Sequence, residues 1–188
     1  MTTAFRFGRV CVFACLMVNA AVAADFAAGV DVSHLRFFED RGIAYREAGR
    51  TGDALGILKK RGVNCARLRL FTSSAAQAAA DPYNRINNLE YTIPLAVRVK
   101  QAGLQLLLDF HYSDTWADPG KQFIPKAWEG KSHEELVHAV FEYTRDTIAA
   151  FRDADAMPDM VQVGNEISNG MLWPDGKLPD NWDNLADL

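Results

Sequence analysis

Residues 158–167 read PDMVQVGNEI, and the choice of fold turns on that stretch. Met160-Val161-Gln162-Val163 has the length and the valines of a short buried strand. Gly164 ends the apolar run, so Asn165 and Glu166 stand at the strand's C-terminal end. In a parallel barrel that end is the catalytic face, because the βα loops gather there. The stretch therefore predicts a parallel α/β architecture, and the preceding sequence has to supply strands and helices in alternation.

Working back from Met160, the alternation is present. His133 to Asp153 is an amphipathic helix, opened by Ser132 with Glu135 three residues on. Gln105 to Phe110 is nearly continuous apolar sequence, as a strand buried on both faces requires. Leu89 to Ala102 is a helix stopped by Gly103, and Cys65 to Phe71 is a strand. Asp53 to Arg61 is a helix stopped by Gly62, and Ala28 to Val32 is the first strand. The order β-α-β-α-β-α-β, with crossovers long enough for helices, implies parallel strands and right-handed connections. Four βα units are half of a (β/α)8 TIM barrel. An open doubly wound sheet is the competitor. It is disfavoured because no Gly-x-Gly-x-x-Gly follows the first strand and because polar residues collect at the strand ends.

Of the 188 residues about half are apolar, 11% are aromatic and 23% are charged, the make-up of a chain that buries a core. Residues 1–24 read as a secretory signal peptide: Arg6 and Arg9 precede an apolar stretch from Val10 to Ala23, and Ala21-Val22-Ala23 offers a small-residue cleavage point. The stretch is shorter than the roughly 20 residues that span a bilayer, which argues against an anchor. The expected location is secreted or periplasmic, with no membrane association once the signal is removed. The remaining chain carries 18 basic and 24 acidic residues, a balance that disfavours nucleic acid and anionic lipid as partners and suits a neutral substrate. Cys11 and Cys15 fall in the signal, leaving Cys65 alone, a small core residue with no intrachain partner.

The chemistry concentrates at strand ends. Arg67 and Arg69, two apart on one strand, point the same way, and an arginine aimed into a barrel mouth needs an acid or a ligand. Asp109-Phe110-His111-Tyr112-Ser113-Asp114-Thr115-Trp116 puts acids, an imidazole, a phenol and an indole in eight residues. The structural alternatives are Asp109 as an internal strut for an arginine, His111 as a satisfied core histidine, Trp116 as a loop anchor and Glu166 as a strut for Arg67. Asp31, at the end of the first strand, is open to both readings.

The stretches GVDVS (29–33), RLRLF (67–71), DFHYSDTWADPGKQ (109–122), PKAW (125–128) and VGNEISNGMLWPDG (163–176) resemble endo-β-1,4-galactanases of glycoside hydrolase family 53. The resemblance covers essentially all of 25–188, in the same order and spacing. It implies a partial barrel domain over those residues, with the C-terminal half missing. By that resemblance Glu166 is the general acid/base, Asn165 contacts the sugar 2-hydroxyl beside the scissile bond, and Arg69 lies near the nucleophile. Asp109, His111, Asp114, Trp116 and Trp173 are the expected substrate-binding residues. The substrate implied is plant cell-wall galactan or arabinogalactan; no cofactor is expected, and no metal ligand among these residues. A retaining glycosidase needs a second carboxylate about 5 to 5.5 Å from the acid. The resemblance implies a nucleophilic glutamate on the seventh strand, absent from this chain, and Glu129, Glu134, Glu135 and Glu142 lie on or before a helix, outside the mouth. The fragment is accordingly expected to be inactive alone. Two alternatives stand: a related retaining barrel glycosidase acting on mannan, xylan or glucan, and a non-catalytic galactan-binding fragment using Trp116, Trp128 and Trp173.

Overall fold

The computed structural model describes residues 26–188, so the predicted signal peptide lies outside the described residues. The elements follow in chain order. Strand β1 (Gly29–Asp31) leads to helix α1 (Leu35–Glu39), a small hairpin of β2 (Arg46–Glu47) and β3 (Arg50–Thr51), and helix α2 (Ala54–Lys60). Strand β4 (Cys65–Leu70) is followed by α3 (Ala75–Ala80), α4 (Pro82–Arg85) and α5 (Leu89–Gln101). Strand β5 (Gln105–Phe110) is followed by a short 3-10 turn at Lys126–Trp128 and by α6 (His133–Asp153). Strand β6 (Met160–Val163) opens into a 3-10 turn at Ile167–Asn169, a hairpin of β7 (Gly170–Met171) and β8 (Gly176–Lys177), and α7 (Trp182–Asp187).

Helix boundaries are set by caps that the sequence carries. Asp53 accepts a hydrogen bond from Gly56 N at the start of α2, and Asn88 accepts one from Tyr91 N at the start of α5. Ser132 and Glu135 form the reciprocal capping box at α6. Gly103, at φ +70°, reverses the chain behind α5, a conformation that costs glycine little.

The central sheet has the order β1-β4-β5-β6, all parallel. Its register sorts the side chains. Asp31 pairs with Arg67, Arg69 with Asp109, and Asp109 with Gln162, so these residues share one face. The opposite face carries Ala66, Leu68, Leu70, Leu106, Leu108 and Phe110, all sealed under the helices with Leu95, Val99, Leu136 and Phe151. One face of the sheet is thus the hydrophobic core and the other is the polar interior of a barrel wall. Val161 and Val163 belong to the core face by register, yet they are 44% and 56% exposed, because β6 is an edge strand. Cys65 is buried and free, as expected. Among the described residues no helix is long and apolar enough to cross a membrane.

The predicted strands and main helices occur within one or two residues of their expected limits. Sequence periodicity missed the shorter elements α1, α3, α4 and α7 and both hairpins, which are too brief to show a period. Trp128 departs from its place in the sugar-binding alternative: it is buried and packs edge-on against Tyr143 of α6, with ring centroids 5.8 Å apart.

Candidate active site

Arg67 organises the C-terminal ends of all four parallel strands. Its Nη1 donates to Asp31 Oδ2 at 2.7 Å, and its Nη2 donates to Asp109 Oδ2 at 2.5 Å and to Asn165 Oδ1 at 2.7 Å. The register puts Asp31 and Arg67 side by side, and β5 brings Asp109 up from the other flank. Asp109 is fully enclosed, so this charge contact acts where water screens little. The strut proposed for Asp109 therefore exists, whereas Glu166 takes no part in it.

Arg69, two residues on, is itself buried. Its backbone N–H donates to Ser33 Oγ at 2.8 Å, and its Nη2 lies 3.0 Å from His34 Nδ1 and 3.4 Å from Asp31 Oδ1. The guanidinium lies 4.2 Å from the centre of the Trp116 ring. Arg69 Nε is 3.4 Å from Asp31 Oδ2, a charge contact without hydrogen-bond geometry, and neither Nε nor Nη1 has an acceptor among the described residues. Burial opposes the Asp31 charge, but Arg69, Ser33 and Arg67 together outweigh it and hold the carboxyl below its ordinary range.

His111 is enclosed between Asp109, the edge of the Phe71 ring and Trp116. Its Nδ1 accepts from Ala117 N at 3.0 Å, which places the proton of the neutral ring on Nε2. Nε2 sits 2.9 Å from Asp109 Oδ2 without hydrogen-bond geometry. Burial pushes the imidazole pKa down, Asp109 opposes it, and Arg67 and Arg69 add to it. His111 is a buried, fixed imidazole whose neutral form is favoured by that burial.

Asn165 is buried, with Nδ2 donating to Ala117 O at 2.7 Å and Oδ1 held by Arg67. Glu166 follows with φ +51° and ψ +43°, the left-handed region that costs a non-glycine residue energy and recurs at functional sites. This bend turns Glu166 away from the buried Asn165 to an exposed position. Among the described residues its carboxylate has neither a hydrogen-bond nor an ion-pair partner, so it contacts neither Arg69 nor His111 directly.

The remaining expected residues divide by exposure. Trp116 is 41% exposed and Trp173 is half-buried, its indole Nε1 donating to Asn169 O at 2.9 Å. Asp114, expected against the sugar, is instead buried: it accepts from Thr72 Oγ1 at 2.8 Å, Gln77 Nε2 at 2.7 Å and Lys126 N at 3.0 Å. It ties the β4 and β5 loops together beneath the surface, and Asp109 and His111 are likewise buried, beside Arg67 and Trp116. Two residues that sequence reasoning did not single out complete the site. Gln122 is buried and donates from Nε2 to Asn165 O at 2.8 Å, fixing the bend from below. His34 bridges Arg69 to Tyr83 O, 2.8 Å from its Nε2. Gln122 was legible only as the last residue of the stretch 109–122, and His34 had no local signal at all.

The sequence and the fold have counterparts among known proteins. The sequence profile of Glycosyl hydrolase family 53 matches residues 27–188. An uncharacterised protein of Niallia circulans is 46% identical over 171 residues, covering 87% of this chain and 44% of that protein. Arabinogalactan endo-beta-1,4-galactanase A of Aspergillus niger is 40% identical over 161 residues, covering 85% of this chain and 43% of that enzyme. Among solved structures, the GH53 catalytic domain of Ignisphaera aggregans superposes with a TM-score of 0.81 at 41% identity, covering 89% of this chain and 47% of that one. The chain thus spans less than half the length of these relatives, and its four βα units are the N-terminal half of a (β/α)8 barrel. With a family profile over nearly all its described length and the same fold at 41% identity, this chain belongs to glycosyl hydrolase family 53.

Proposed function

We propose that the chain carries the acid half of an endo-β-1,4-galactanase that cuts galactan or arabinogalactan by a retaining, two-carboxylate mechanism. The observation that carries this reading is the division of labour at the strand ends. Arg67 engages Asp31, Asp109 and Asn165, whereas Glu166 is left exposed and uncommitted. In this reading Glu166 protonates the leaving glycosidic oxygen and later deprotonates the incoming water. Asn165, locked by Arg67 and Ala117, keeps one amide N–H for the sugar 2-hydroxyl. Trp116 offers an apolar face to a galactose ring while Arg69 holds it from behind.

The nucleophile is assigned to a carboxylate outside the described βα units. Asp31 and Asp109 are committed to Arg67, and Asp114 is occupied by Thr72, Gln77 and Lys126. Arg69 Nε and Nη1, buried and without an acceptor among the described residues, would hold that carboxylate in its charged form. We assign residues 1–24 to a signal peptide and the site to an exported protein acting on a neutral polysaccharide, without nucleic acid, metal or cofactor. The test is reducing-sugar release from galactan, mannan, xylan and glucan by the chain, and by the chain joined to the second half barrel of a family relative. The joined protein is expected to cut galactan alone, and Glu166→Gln to lower its rate by about 10² to 10⁴-fold. Turnover by the unjoined chain well above that of its own Glu166→Gln variant would refute the assignment of the nucleophile. Preference for another polymer would refute the substrate.

A further inference from the structure

The loop after β5 and the loop after β6 form a two-segment ribbon beside Glu166. Trp173 N donates to Gln122 O at 2.7 Å, and Phe123 pairs with Trp173 in parallel register. Directly paired residues project to the same face, and neighbours in an extended segment project to opposite faces. Gln122 accordingly points inward, to Asn165 O, whereas Phe123 points outward and is 57% exposed. Trp173 is fixed at its edge by Asn169 O and on one ring face by Lys177 Nζ, 4.6 Å from the ring centre. Gln122 Nε2 reaches the backbone carbonyls of Asn165 and Glu166, at 2.8 and 3.5 Å, and Asn169, which holds Trp173, ends the 3-10 turn that starts directly after Glu166, so the ribbon abuts the segment that carries the acid. Phe123 is thus an exposed apolar ring held in fixed register with a pinned tryptophan, a preorganised face beside a polar site.

We propose that Phe123 is a second stacking face next to Trp173, taking a galactose unit further along the chain than the one at Glu166. The proposal rests on the galactanase reading and adds a specificity-determining residue to it: the platform favours a polymer over a short oligosaccharide. The ligand class fits, since a galactose ring has one apolar C–H face and no charge, and aromatic side chains grip such faces without hydrogen-bond readout.

The experiment is affinity electrophoresis of the chain in gels containing galactan, beside Phe123→Ala, Phe123→Trp and, as a control on α7, Trp182→Ala. Circular dichroism establishes that each variant is folded, as expected for a change at an exposed side chain. The expected result is retardation of the unsubstituted chain, about fivefold weaker binding for Phe123→Ala, retention by Phe123→Trp, and no change for Trp182→Ala. Retardation that Phe123→Ala leaves unchanged overturns the role of Phe123 alone. Equal weakening by Trp182→Ala also overturns it, by showing nonspecific aromatic adhesion. Absence of any retardation of the unsubstituted chain removes the galactan reading of the groove and this proposal with it.

Discussion

Replacing Arg67 by leucine is expected to destabilise the chain more than any other single change at the strand ends. The guanidinium is the only cation in hydrogen-bond contact with Asp109 among the described residues, and Asp109 is fully enclosed, its other contact being the neutral His111. Removing one partner of a buried ion pair leaves an uncompensated charge and costs about 3–5 kcal/mol. Two structural facts place this case at the low end. The Arg67 side chain is 27% exposed, so water reaches part of the space it leaves, and its second carboxylate, Asp31, lies on the edge strand where an ion pair is worth little. The expected loss is about 3 kcal/mol, or roughly 6–12 °C in Tm for a domain of this size. The assay is urea and thermal unfolding followed by far-ultraviolet circular dichroism, in a double-mutant cycle with Asp109→Asn. Because asparagine removes the buried charge, the double variant is expected to recover about 2 kcal/mol of the single variant's loss. A loss below about 1 kcal/mol for Arg67→Leu, or strictly additive losses in the cycle, would refute the hub.

His133, at the start of α6, has Nδ1 2.8 Å from Asp175 Oδ2 and Nε2 3.5 Å from Asp187 Oδ2, joining the helix to the β7–β8 turn and to α7. The hydrogen bond to Asp175 raises its pKa above the ordinary 6.5; desolvation opposes it and Asp187 adds to it. A raised folded-state pKa stabilises fully below 6.5 and is lost as pH climbs through the folded value. Limited proteolysis of residues 170–188 should therefore accelerate from about pH 5 to about pH 9, and His133→Asn should flatten the profile; equal rates at both pH values in the unsubstituted chain would count against the clamp. Trp128→Ala should cost about 3–5 kcal/mol, because it empties a core site against Tyr143, whereas Trp182→Ala, 63% exposed, should stay within about 0.5 kcal/mol. Chemical unfolding that ranks the two tryptophans the other way would show that their burial has been misassigned.

Periodicity, caps and glycine stops alone determined the four parallel strands, the helices α2, α5 and α6, and the half-barrel reading, because each of those signals is local and long enough to repeat. The capping box at Ser132 and Glu135 could be read residue by residue. So could the placement of Asn165 and Glu166 beyond β6. The partners of the polar residues could not. Whether Asp109 met Arg67, Arg69 or a sugar depended on the register between β4 and β5 and on the rotamer of a long side chain, neither of which sequence spacing carries. The same holds for the four tryptophans, which look alike in sequence. Trp128 sank into the core against α6, Trp116 came to rest on Arg69, Trp173 was pinned to Asn169, and Trp182 stayed in solvent. Their roles were decided by which distant element lay opposite, because burial is a property of the packed layers and not of the segment that enters them.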